Sequence, residues 1–188
     1  MRMVKAVIGL LLCVASVAQA EPDWVLKKDK DGIRVYSAKV SNSGFRAVKA
    51  ECTVQATLSQ MAALLSDIDR HHEWVYSVKS ARVLQVVGPA EFIYYSEVDA
   101  PWPCSNRDFI VSFKMVQPSP GILTIESHAE PDQYPEQPRI VRVRYSVSHW
   151  TMTVAGDNSV KVEYTIQFDP GGSVPAWIVN MFIIILLT

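Results

Sequence analysis

Apolar and polar residues alternate with a period of two along most of this chain. Val160, Val162, Tyr164, Ile166 and Phe168 take every second position against Lys161, Glu163, Thr165 and Gln167, as in a strand with one face in a core and one in water. Similar runs cover residues 45–54, 79–87, 92–99, 107–116 and 122–129, bounded by turn signals such as Gly88-Pro89 and Pro118-Ser-Pro-Gly121. A shorter strand, 33–36, follows a turn at Asp31-Gly32. Residues 140–154 read as one long strand whose apolar phase changes at His149-Trp150. Val141, Val143, Tyr145 and Val147 carry the phase before that point, and Trp150, Met152 and Val154 after it. A bulge or bend there is the expected cause.

Two stretches have the helical period instead. Thr57-x-x-Gln60 is a capping box, and Leu58, Met61, Leu64, Leu65 and Ile68 follow at helical spacing, predicting a short amphipathic helix from Thr57 to about Asp69. Asp169-Pro-Gly-Gly-Ser breaks the last strand, Pro175 suits a first helical turn, and residues 176–187 are apolar all round. That run is shorter than the roughly 20 residues a membrane-spanning helix needs, so it is expected to be buried against the sheet. One helix, a series of antiparallel strands and a final apolar helix make an α+β domain.

The first 20 residues change where that domain begins. Arg2 and Lys5 precede an apolar run from Ala6 to Ala18, and Ala18-Gln19-Ala20 forms an A-x-A cleavage site, the layout of a cleaved signal peptide. The expected organisation is a leader, 1–20, and one domain, 21–188, periplasmic or secreted. Removing Arg2 and Lys5 moves the net charge from −1 to −3. With no basic run, the chain lacks the electrostatic footprint of a nucleic-acid binder. Cys52 and Cys104 remain, either as a disulfide contributing about 3–4 kcal/mol or as two separate buried thiols.

Candidate chemistry centres on Arg107. It shares a strand face with Phe109, Val111, Phe113 and Met115, where an arginine needs a partner to offset its desolvation. On the preceding strand Ile93, Tyr95 and Glu97 share a face; antiparallel pairing across Pro101-Trp102-Pro103 would turn Glu97 and Arg107 the same way. The pair is either an internal salt bridge that fixes register or a polar spot at the bottom of an apolar cavity. His71-His72-Glu73 has no metal-ligand spacing, and G-x-S-x-G, P-loop and G-x-G-x-x-G motifs are absent. No catalytic residue, metal or cofactor is therefore expected. Most of the aromatics, including Tyr94, Tyr95, Trp102, Tyr145, Trp150, Tyr164 and Trp177, are expected in the core, a few of them lining a pocket.

Three sets of residues carry a resemblance. They are Ile93-Tyr94-Tyr95-x-Glu97-Val98, then Pro101-Trp102-Pro103-x-Ser105-Asn106-Arg107-Asp108-Phe109, then Asp169-Pro170-Gly171-Gly172-x-Val174-Pro175-x-Trp177-x-Val179-Asn180. Together with Trp24, Gly32-Ile33-x-Val35-Tyr36 and Trp150 they resemble the START domain, the lipid-transfer domain related to the steroidogenic acute regulatory protein, here of a bacterial exported type. The resemblance implies a helix-grip fold: a curved antiparallel β-sheet packed around a C-terminal α-helix, with a lipid-sized tunnel between them. It implies non-catalytic binding or transfer of a lipid or other hydrophobic small molecule. Arg107 and Glu97 become the polar spot in the tunnel, with Tyr95 and Trp150 as further ligand-binding residues. Two departures are the lack of room for a helix before Trp24 and the short last helix. The alternatives are a helix-grip enzyme, of cyclase or hydrolase type, acting on an apolar substrate, and an interaction module whose apolar C-terminal helix meets a partner or a membrane surface.

Overall fold

The computed structural model describes residues 22–41, 43–175 and 180. The expected leader, and all of the expected C-terminal helix except Asn180, lie outside the described residues. The strands are β1 (Val25–Lys30), β2 (Ile33–Ala38), β3 (Ala47–Val54), β4 (Val78–Gly88), β5 (Glu91–Val98), β6 (Arg107–Ser119), β7 (Ile122–Ala129), β8 (Val141–Arg142), β9 (Tyr145–Gly156) and β10 (Ser159–Asp169). Helix α1 (Leu58–Ser66) is followed by a 3-10 turn, Ile68–Arg70, and one short helical turn, α2 (His71–Trp74). Nine strands form one antiparallel sheet in the order β1-β2-β3-β10-β9-β7-β6-β5-β4, and β8 pairs parallel with the start of β6.

Local chemistry accounts for the punctuation. Asp31 (φ 51°) and Gly32 (φ 80°) both occupy the left-handed region, as a two-residue turn matched to strand twist requires. That turn folds the largely polar β1 back onto β2, which makes β1 a strand although its own alternation is weak. At α1 the capping box forms in full: Thr57 Oγ1 accepts from the Gln60 amide at 3.2 Å, and Gln60 Oε1 accepts from the Thr57 amide at 2.9 Å. The helix stops at Ser66, three residues short of expectation, because Asp67 leaves helical geometry (φ −81°, ψ 70°).

The sheet has an inner face, covered by α1, and an outer face. Met61, Leu65 and Ile68 pack onto Phe92, Phe113, Leu123, Ile125, Met152, Val160 and Val162 in one core cluster. Val35 and Val48 form a second cluster with Ile166, Phe168 and Val174. Asn180 joins this end: its Oδ1 accepts from the Arg46 amide at 3.0 Å and its Nδ2 donates to the Gly44 carbonyl at 3.3 Å.

Residues 140–154 are not one strand. The break comes between β8 and β9, at Val143 and Arg144, and not at His149-Trp150. Around Trp150, β9 stays in unbroken register with both β7 and β10. The change of apolar phase has a different cause: Ser148 lies on the inner face, two positions from Trp150. Cys52 and Cys104 are free thiols, which settles the open disulfide question against a bridge.

On the outer face Asp108 and Arg142 form a buried ion pair, Nε to Oδ1 at 2.8 Å and Nη2 to Oδ2 at 2.9 Å. Both side chains are at most 2% exposed. Arg142 also donates to the carbonyls of Pro131, Tyr134 (2.8 Å) and Pro135 (3.1 Å), so one guanidinium fastens the proline-rich loop to the sheet. The pair answers the desolvation problem because its remaining donors are satisfied too.

Candidate functional site

Cross-strand register assembles a cleft on the inner face. Phe113, Ser127, Ser148 and Ile166 are successive partners across β6, β7, β9 and β10. In the adjoining row stand Ile125, Trp150 and Tyr164. Facing partners in a sheet point the same way, so Phe113, Ser127, Ser148, Ile125, Trp150 and Tyr164 form a floor, with Tyr94 beside them on β5 and Ile166 turned into the second core cluster. Leu65, His71, Trp74 and Tyr76 form the rim. The cleft has a volume of about 340 Å³ and opens to solvent.

The floor is aromatic and hydroxylic. The Trp150 and Tyr164 rings lie 4.1 Å apart between centroids. Tyr164 lies diagonally across from Ser148, within reach of its hydroxyl. Burial pushes the Tyr94 hydroxyl up to about 12 and raises that of Tyr164 as well, so both stay protonated and neutral across the physiological range. His71 closes the rim: its Nε2 contacts the Leu65 carbonyl at 3.3 Å, and its ring meets the edges of Trp74 and Tyr94.

Burial holds the His71 imidazole below the usual histidine range, partly offset by the Leu65 carbonyl and the charge of Asp67. A base whose folded pKa is depressed contributes stability that is fully present above its unfolded value, about 6.5, and is lost as pH falls through that value toward the folded one. Thermal melts between pH 7.5 and 5.5 are therefore expected to show a larger loss of Tm for the wild type than for His71→Gln. Equal losses would remove His71 from the account.

The four expected ligand residues separate. Trp150 lies in the floor of the cleft. Arg107 is on the same face and 9% exposed, but it sits at the start of β6, donating to the Ser105 carbonyl, beside Gly172. Glu97 does not meet Arg107. Val98 is the register partner of Arg107 and Asp108 that of Glu97, which puts Glu97 on the outer face. There it accepts from Lys79 Nζ at 2.9 Å and Asn106 Nδ2 at 2.8 Å. Tyr95 is also on the outer face, buried under the Arg82 guanidinium and the Tyr134 ring. Among the other aromatics, Trp102 is 93% exposed and not part of a core. Trp177 lies outside the described residues.

The specific motifs now have local roles. Asn106 donates to Asp99 as well as Glu97 and accepts from the Ala100 amide, closing the loop between β5 and β6 on itself. Asp169 accepts from the Gly171 amide at 2.9 Å. Gly171 (φ 66°) and Gly172 (φ 65°) then turn the chain against Val141, where a Cβ on Gly171 would come within 3.2 Å of the valine methyl. The hydroxyl floor and the Asp108–Arg142 pair were not expected from the sequence. A sequence signal existed for the first: Ser127 and Ser148 hold inner-phase positions in their strands.

Comparison with known proteins agrees with this architecture. The family model for the START domain matches residues 11–184. An uncharacterized protein of Pseudomonas aeruginosa is 31% identical over 171 residues, covering 91% of this chain and 84% of its own. Bovine phosphatidylcholine transfer protein is 28% identical over 164 residues, covering 84% and 75% respectively. A solved fragment of a STAR-related lipid transfer protein from Xanthomonas axonopodis superposes with a TM-score of 0.81 at 30% identity, covering 87% of this chain and 92% of that one.

Proposed function

The chain belongs to the START domain family, with its helix-grip α+β fold, and we propose that it binds and carries a lipid or other hydrophobic ligand in the inner-face cleft without transforming it. The observation that carries this reading is the cleft itself: a floor of aromatic rings and hydroxyls beside the apolar core cluster under α1. An apolar pocket with a few convergent polar groups is the usual form of a small-molecule site. The lipid-transfer proteins of cattle and Xanthomonas among its relatives support the same ligand class. Carriage rather than turnover fits a lining made of aliphatic, aromatic and hydroxyl groups, in which the one imidazole is already engaged with Leu65, Trp74 and Tyr94.

Arg2, Lys5, the apolar run that follows and Ala18-Gln19-Ala20 support an exported protein that meets its ligand outside the cytoplasm. Native mass spectrometry of protein recovered from the periplasm of a bacterial host tests both parts. The expected species begins at Glu21 and carries one co-purifying lipid mass. A chain retaining residues 1–20 would contradict export. An empty protein that also fails to take up any lipid from a mixed panel would contradict carriage.

A further inference from the structure

We infer that the cleft selects lipids whose polar end is uncharged, bearing hydroxyl, carbonyl or ester groups, and disfavours ionised headgroups. This deepens the carrier reading and rests on it. Its basis is what the strands place on the floor. Ser127 and Ser148 are direct cross-strand partners, set among the aromatic and aliphatic side chains that line the cleft. Tyr164 lies diagonally across from Ser148 on β10, and Tyr94 stands nearby on β5. Hydroxyls both donate and accept and rotate to suit, so the group matches a neutral alcohol or ester oxygen in either sense.

The same floor has nothing to offset a formal charge. Among the described residues lining the cleft there is no Asp, Glu, Lys or Arg. Burying an ionised phosphate without a partner costs far more than burying a hydroxyl that finds one. The tyrosines do not compensate, since both hydroxyls stay neutral. Arg107 is the one formal charge on the inner face of β5, β6, β7, β9 and β10, and it lies away from the floor, against Ser105 and Gly172.

The test holds the acyl chains constant and varies the headgroup. Binding of dioleoylglycerol, dioleoyl phosphatidylcholine and dioleoyl phosphatidylglycerol is measured on the wild type, on Ser127→Ala with Ser148→Ala, and on Tyr164→Phe, with circular dichroism confirming each fold. Dioleoylglycerol is expected to bind at least tenfold tighter than either phospholipid, with the margin shrinking several-fold in whichever variants fold. Equal binding of the three lipids, or a margin unchanged in every folded variant, overturns the inference and leaves the carrier reading standing. So does a preference for phosphatidylglycerol that Arg107→Gln abolishes, which would move the headgroup to the Arg107 end. Binding of none of the three, nor of any other lipid, removes the carrier reading and the inference together.

Discussion

Asp108→Asn is expected to lower the stability of this domain by about 3–5 kcal/mol, more than a single substitution usually costs, because it leaves the Arg142 guanidinium buried with its charge unmatched. For a domain of this size that corresponds to a fall in Tm of roughly 6–20 °C. The pair is bidentate and almost fully buried, and no solvent is at hand to take over from the lost carboxylate. Arg142→Met is expected to cost a similar amount by a second route. Its donors to the carbonyls of Pro131, Tyr134 and Pro135 disappear, and with them the tether of the loop onto the sheet. The double variant Asp108→Leu, Arg142→Met is then expected to recover only part of the loss, since the apolar pair leaves the carbonyls of Pro131, Tyr134 and Pro135 without the Arg142 donors. Urea unfolding of the wild type, Asp108→Leu, Arg142→Met and the double variant gives the cycle directly. Additive single losses would show that the two residues do not act together.

The second large effect concerns the ligand. Trp150→Ala is expected to weaken lipid binding by about 30-fold, the cost of removing a central aromatic wall worth roughly 2 kcal/mol or more. Trp150 packs against Tyr164, the rings tilted by 31°, and is paired across the sheet with Ile125, so its loss widens the cleft. Tyr145→Phe is the control: Tyr145 is 46% exposed and donates to Gln167 Oε1, outside the cleft. Equilibrium titration with a fluorescent fatty-acyl lipid measures both. Equal affinities for the two variants would move the site away from Trp150.

The strands and the first helix were readable because alternation and the capping box are local signals. What failed was the relation between strands. In β5, Phe92 and Tyr94 face inward while Ile93 and Tyr95 face outward, so both faces are apolar and alternation does not distinguish them. The register is set by the closed loop from Asp99 to Asn106, which pairs Val98 with Arg107. A register differing by one residue exchanges the faces, and this is why Glu97 and Tyr95 lie on the far side from Arg107. The partners Asp108 and Arg142 are 34 positions apart, joined through a parallel bridge too short to leave a pattern. At His149-Trp150 the sequence did carry the decisive sign. The interruption of apolar phase marks the serine of the hydroxyl floor, not a distorted backbone.

The most direct test of the account is photo-crosslinking with a lipid bearing a diazirine on its acyl chain, followed by mapping of the adducts. The cleft predicts saturable labelling of residues 71–76 and of the β9 segment containing Ser148 and Trp150, reduced by excess unlabelled lipid. Labelling confined to the outer face, at Arg82, Tyr95 and Tyr134, or labelling that unlabelled lipid does not reduce, would contradict it.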